Sequence, residues 1–307
     1  PTSPVGPCTG DNFTIVVNLN ARPVIPNKSQ TICSGTAFSI TPTNGIGEIV
    51  PANTTYSWTV QDNSSISGES NGSSNGNSIG QTLTNNSNSA QTVIYTVTPV
   101  SGDVGNCTGP TFTITVTVNP IPSISAKTVI ACSNEAFTTT ITNALNNDIV
   151  PNGTTYTWSL PIVTGNMTGG AAGNAATSVS GNLTNPTSVN QTATYTVRPT
   201  APGSTSCTGQ DFTVVATIKP KAAIAAKTTA VCSNDAFTFT LTDGVGTDVI
   251  PTGTTYTWSN PPTVTGGLTG GAIGSAQAAV GGTLSNPSNS SQTATYNVTA
   301  NSDGCSS

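Results

Sequence analysis

Apolar and polar residues alternate most cleanly at residues 112–119, Phe-Thr-Ile-Thr-Val-Thr-Val-Asn. A period of two puts every apolar side chain on one face of an extended chain, the pattern of a half-buried β-strand. The pattern returns at 13–20 and 212–219, again opening on phenylalanine. Between two such segments lie others of the same kind. In the middle of the chain, 123–131 alternates loosely, and 136–142 places Phe137 and Ile141 on one face. Residues 154–160 place Tyr156 and Trp158 together, 191–198 carries Tyr195 and Val197, and 211–218 closes the series. Turn residues separate them, such as Pro151-Asn152-Gly153. No segment shows a helical period, so the chain is predicted to be all-β.

The series is written three times. Thr-Tyr-Ser-Trp at 55–58 returns as Thr-Tyr-Thr-Trp at 155–158 and 255–258. Cys33, Cys132 and Cys232 are 99 and 100 residues apart, and Cys8, Cys107, Cys207 and Cys305 form a second series. A repeat of this length is a whole domain. About seven short strands per repeat, a Trp on the third and a Tyr late in the unit predict an immunoglobulin-like sandwich. The predicted architecture is an extended rod of tandem β-sandwiches at 22–119, 120–219 and 220–307, joined at Pro23, Pro120 and Pro220. Residues 1–21 read as the closing strand of a preceding repeat, with the strand itself at 11–19, and the third repeat lacks its own. The expectation is a segment of a longer polypeptide.

The aromatic residues recur in register and are assigned to the cores: Trp58, Trp158 and Trp258, Tyr95, Tyr195 and Tyr296, Phe38, Phe137 and Phe237. The tryptophans are expected to pack against the phenylalanine strands that follow the first cysteine of each repeat. The stretches 62–90, 161–190 and 261–291 are rich in small residues and are expected to form much of the outer surface, with strand boundaries that the sequence does not fix.

Composition narrows function further. Charged residues are 6% of the chain, net charge is −5 and histidine is absent. The seven Lys and Arg are scattered singly, which argues against nucleic acid as a partner. No apolar run approaches the ~20 residues of a membrane helix. A serine nucleophile has no histidine base, single separated acids do not make a calcium site, and seven cysteines without His or CxxC do not make a zinc site. No catalytic, cofactor-binding or metal-binding residues are assigned, and no enzyme activity is expected. Lys28, Lys127 and Lys227 each precede a cysteine by five residues, and Glu48, Asp148 and Asp248 recur before a proline. They allow an intramolecular isopeptide bond or a surface ion pair, but independent solvated charges are the favoured reading.

The cysteines point to disulfides and an oxidising compartment. Pairing of sequence neighbours such as Cys107 with Cys132 spans too great a distance, because a full strand on each side separates them. Pairing within a repeat gives Cys33–Cys107, Cys132–Cys207 and Cys232–Cys305. Pairing across a junction gives Cys33–Cys207 and Cys132–Cys305. The junction scheme is preferred, because the first turn and last hairpin of one sandwich lie at opposite poles while those of successive domains stacked end to end face each other.

The run Ile32-Cys33-Ser34-Gly35-Thr36-Ala37-Phe38, the Thr-Thr-Tyr-x-Trp strand, and Cys107-Thr108-Gly109 followed by the strand from Phe112 to Pro120 resemble the PKD-like, immunoglobulin-like repeats of giant secreted surface proteins in Bacteroidota, gliding-motility adhesins of the SprB type among them. A PKD signature after the Trp is missing, since Trp158 is followed by Ser159-Leu160-Pro161. The resemblance implies extracellular display at the cell surface within a long adhesive filament. The leading expectation is thus a structural stalk segment giving reach and stiffness for surface attachment or gliding, spanning on the order of 100–130 Å at ~3.3 Å per strand residue. Its expected partners are neighbouring repeats of the same polypeptide, with surface polysaccharide or other copies in a filament beyond them. Two alternatives stand beside it: a fibre subunit that donates strand 11–19 to the next copy, and a carbohydrate-binding accessory module of a secreted enzyme, which needs exposed aromatic residues.

Overall fold

The computed structural model describes residue 6 and residues 10–45, 47–75, 78–102, 105–203, 205–259 and 263–307. The chain divides into two units, 1–121 with 203–207, and 122–202 with 208–307. The first unit holds repeat one. The second holds repeats two and three. All three are antiparallel β-sandwiches with a single parallel pair in the first two.

In repeat one the alternation at Phe112–Asn119 becomes a strand whose Phe112, Ile114, Val116 and Val118 are buried. It lies between Gln91–Val100, antiparallel, and Lys28–Cys33, parallel. Thr55–Val60 and Gly72–Ser74 extend the sheet to five strands. The facing sheet is Thr36–Ile40, Ile79–Asn85 and Ile66–Ser67. Phe38, Ile79 and Leu83 from this sheet meet Tyr95, Val97 and Ile114 from the other in one core. Removing side chains of this size from water is worth about 1.5–3 kcal/mol each.

Repeat two follows the same plan. Its main sheet runs Gly173–Ala176, Thr155–Trp158, Gln191–Thr200, Phe212–Lys219, Lys127–Cys132, with Ile162–Val163 also paired on Gln191–Thr200. Its second sheet is Ala136–Thr139, Val179–Thr184 and Thr168–Gly169. Repeat three keeps the second sheet, as Ala236–Phe239, Val280–Ser285 and Thr269–Gly270. Its main sheet is reduced to Gly274–Gln277, Thr255–Trp258, Val298–Ser302 and Cys305–Ser306, with Thr263–Val264 on Ala294–Thr295 apart.

Four expectations require correction. Residues 10–21 form no strand, because no strand among the described residues pairs with them and their apolar side chains lie in solvent. Tyr296 is only half-buried, although Tyr95 and Tyr195 are fully enclosed; the closing strand that lies beside those two has no counterpart among the described residues of repeat three. The small-residue stretches are mostly exposed, as expected, but they are not outer surface alone. They supply the second sheet and the core residues Ile66, Ile79, Leu83, Met167, Val179 and Leu183. Finally, the second-strand phenylalanines share a core with the tryptophans in repeats one and two, but their ring contacts are with the late tyrosines: the Phe38 and Tyr95 rings lie 5.1 Å apart, and those of Phe137 and Tyr195 5.9 Å. All three Trp are buried, each with a glycine against its indole.

Candidate functional site

Repeats one and two each end where the closing strand and the first strand run side by side. Cys33 lies opposite Asn119, and Cys132 opposite Lys219, at the last rung of the parallel pair. The chain then turns through Ser34-Gly35 or Ser133-Asn134. Gly35 has φ 75° and Asn134 φ 62°, a left-handed conformation that glycine and asparagine tolerate best. The turn is fastened to the closing strand, since the Ser34 N–H donates to the Asn119 carbonyl and the Ser133 N–H to the Lys219 carbonyl, both at 2.8 Å. The first cysteine of a repeat is therefore fixed beside the proline junction at which that repeat hands over to the next.

The second cysteine is placed by the Cys-Thr-Gly motif. Thr208 bridges to Thr200, and the Gly209 N–H donates to the Pro199 carbonyl at 2.9 Å. A Cβ on Gly209 would come within 2.1 Å of the Pro122 carbonyl oxygen, and one on Gly109 within 2.3 Å of that of Pro23. Glycine is required there because the loop lies directly on the junction that starts its own repeat.

The two placements converge in disulfides. Cys33 is joined to Cys207, with Cα atoms 5.6 Å apart, and Cys132 to Cys305, at 5.7 Å. The bridged residues are 174 and 173 positions apart, so each bond links one repeat to the last hairpin of the following one. The alternative set Cys33–Cys107, Cys132–Cys207 and Cys232–Cys305 is not formed. Its geometry is prohibitive: Cys33 sits at the end of the strand Phe112–Asn119, while Cys107 precedes its start. Eight strand residues rise about 26 Å, against the ~7 Å that a disulfide permits. Cys107, half-buried, and Cys232, exposed, carry free thiols. Cys8 lies outside the described residues.

Polar contacts reinforce the bridges. In the first unit the Asn119 amide donates to Thr205 Oγ1 at 2.9 Å. In the second, Lys219 pairs with Asp303 and Lys221 with Glu135, both at 2.8 Å. The buried Ser302 hydroxyl donates to the Pro220 carbonyl. These surface pairs are worth little singly, but with the disulfide they surround the junction between repeats two and three.

The recurring lysines and carboxylates pair within each repeat rather than standing apart in solvent. Lys28 meets Glu48, Lys127 meets Asp148, and Lys227 meets Asp248. The middle pair is enclosed, with Asp148 1% and Lys127 9% exposed. Burial works to raise the Asp148 carboxyl, but hydrogen bonds from Lys127 and from Ser125, with the lysine's charge, hold it below its ordinary value. The Lys227 hydrogen bond does the same for Asp248, with help from the Ala225 N–H. In repeats one and two the pair pins the first strand to the loop before the Trp strand, and in repeat three it holds the equivalent extended segment there. The regular spacing carried this signal, and low overall charge masked it.

Among the described residues no Trp or Tyr is exposed, and the exposed aromatic side chain there is Phe13.

Residues 30–122, 129–222 and 229–307 each match the PKD-like domain family. No curated protein sequence matches the chain. Among solved structures, it is similar to the chicken CNTN1 FN1–FN3 domains at 12% identity and a TM-score of 0.27, and to mouse cadherin-23 EC22–24 at 12% and 0.23. Each likeness covers 65% of this chain and 65% of that one, so this chain spans slightly under two thirds of their length.

Proposed function

The chain belongs to the PKD-like domain family, in three tandem copies, and from that premise we propose that it is a structural spacer of an extracellular protein, a stalk whose successive domains are stapled so that it keeps reach and stiffness under load. The observation that carries this reading is the repeat-skipping disulfide: Cys33–Cys207 and Cys132–Cys305 each close a loop of more than one domain. A bond inside one sandwich protects only that sandwich. A bond to the next repeat's hairpin restrains the junction and carries tension past the proline linker. The disulfides suit an oxidising space outside the cytoplasm. The sequence motifs shared with surface adhesins of Bacteroidota favour cell-surface display, with attachment or gliding as the setting. The role is mechanical and not enzymatic.

Pulling single molecules from their ends tests it. With the bridges intact, the residues between Cys33 and Cys305 cannot extend fully, and the released contour length is short; after reduction the whole chain pays out. Equal lengths under both conditions, or small-angle scattering of a compact globule, would overturn the stalk.

A further inference from the structure

The strands that meet at the disulfides also make the shortest covalent route along the chain. Lys28–Cys33 is extended and ends at the Cys33–Cys207 bridge. Five residues beyond Cys207 the strand Phe212–Lys219 begins, and Pro220 follows it. A pull that enters at Lys28 can pass along one strand, through one disulfide and along a second strand. It need not enter residues 34–121 or 133–206. The second bridge repeats the arrangement, since Lys127–Cys132 is extended and leads through Cys132 to Cys305.

In repeat two the two routes lie side by side. Lys127–Cys132 pairs in parallel with Val214–Lys219 over six rungs. The first route draws on this pair from Cys207, ahead of Phe212. The second draws on it from Cys132, at the last rung and in the opposite direction. The hydrogen bonds run across the pull and are evenly spaced, so they share it as a lap joint does.

We propose that these strands and the bridges between them are the tension-bearing cable of the chain, and that residues 34–121 and 133–206 are shielded from load. The cable rests on the stalk reading and identifies the residues that bear its load. A backbone already in strand geometry has little length to give. Between residues 26 and 226 the route through Cys33–Cys207 holds 26 residue steps, seven before the bridge and nineteen after it, against 200 along the backbone. At ~3.3–3.6 Å per residue that route cannot exceed about 100 Å, while the backbone alone reaches about 700 Å. Opening the core of repeat one or two adds nothing to the length that a pull can release. The Phe38–Tyr95 contact and the Trp158–Gly173 contact both lie in the shielded part. Any surface carried there keeps its shape while the cable is loaded.

Force spectroscopy on the full chain tests this, with DNA handles joined to azide-bearing residues in place of Pro26 and Ala226. Oxidised, the distance between these two positions should stay under about 100 Å at every force, with no unfolding step. After reduction with dithiothreitol the 200 residues between them should pay out. Cys305→Ser should leave the oxidised limit unchanged, because that bridge is not on the route. Cys33→Ser with Cys207→Ser should extend the limit to about 185 residues, 106 before the remaining Cys132–Cys305 bridge and 79 after it. Val179→Ala, a loss from the core of repeat two, should leave the oxidised trace as it is and lower the force of that repeat's opening after reduction. A variant that fails to fold is still bound by the oxidised limit. The cable is overturned by an oxidised chain that extends past about 100 Å, by a Cys305→Ser chain that does so, or by an oxidised trace that Val179→Ala alters. A compact globule in scattering would sink the stalk, whereas a rod that exceeds the limit would sink the cable alone.

Discussion

Gly173 lies against the face of Trp158: a Cβ at that position would stand 2.3 Å from two atoms of the indole ring. Gly72 and Gly274 stand in the same relation to Trp58 and Trp258. In each repeat the neighbouring strand passes so close to the ring that only a hydrogen fits. The indole N–H is satisfied nearby, Trp158 donating to the Ala171 carbonyl at 2.9 Å. Ring, glycine and carbonyl form one unit. Gly173→Ala is expected to destabilise repeat two by about 1–3 kcal/mol through overpacking, and Trp158→Ala by about 3–5 kcal/mol through the cavity. Combining them should cost less than the sum, because the alanine methyl occupies space that the ring vacates. Denaturant unfolding of the three variants measures this; strict additivity would mean that the contact carries no strain.

The Lys127–Asp148 pair sets the acid limit. The Asp148 carboxyl is held below its ordinary value in the folded protein, so its contribution is complete above the ordinary carboxylate range, near pH 4, and is lost as pH falls through the folded value. Tyr156 is pushed the other way, first by burial and then by the Asp148 charge; its contribution is present below pH 10 and lost above its raised value. Asp148→Asn should destabilise repeat two by about 3–5 kcal/mol at neutral pH, because it leaves the lysine's charge buried and unpaired. The same variant should flatten the acid limb. Replacing both partners, Lys127→Met with Asp148→Leu, should cost less than the single change. Thermal melts from pH 2 to 8 give all three results.

The staples should act across repeats. Cys132→Ser removes a link over 173 residues, and a bridge of that reach is worth about 2–5 kcal/mol. The loss should fall on the junction contacts, Lys219 with Asp303 and Lys221 with Glu135, as well as on global stability. Exchange mass spectrometry should show faster exchange at residues 300–307 and 132–135 in the variant, with the interior of the sandwich, such as Tyr195, little changed. Loss of protection confined to the two cysteines would mean that the polar contacts hold the junction alone.

The sandwich could be read from the chain because its main strands alternate strictly, as at Phe112–Asn119, and because one face of each must be buried. The second sheet was harder. Gly173–Ala176 and Val179–Thr184 hold few large side chains, and the pattern that marks them as strands is the space they leave for Trp158 and the burial of Val179 and Leu183. These are relations between distant segments and have no local signature. The Lys127–Asp148 pair was visible as spacing but not as contact, since spacing gives no burial. The reading that paired cysteines across a junction turned on where the poles of a sandwich lie, which follows from strand order. The unpaired state of residues 227–232 has no local signature, since their sequence resembles that of Lys127–Cys132; it follows only from the expectation that repeat three lacks a closing strand.

That last difference yields a measurement. In repeat two, Phe212–Lys219 covers both Lys127–Cys132 and Gln191–Thr200; among the described residues nothing does so in repeat three, and two strand-forming segments have one side each unpaired. Edge amides bonded to water open without disturbing the core. Amides of 227–232 and 292–298 should therefore exchange much faster than those of 127–132 and 191–197, while the second sheet at Ala236–Phe239 and Val280–Ser285 stays protected. A synthetic peptide with the sequence of the closing strand Phe212–Lys219 should slow exchange at both open segments together, since one strand bonds to both flanks. Protection of one flank without the other would show that the peptide binds an edge rather than filling the gap between them.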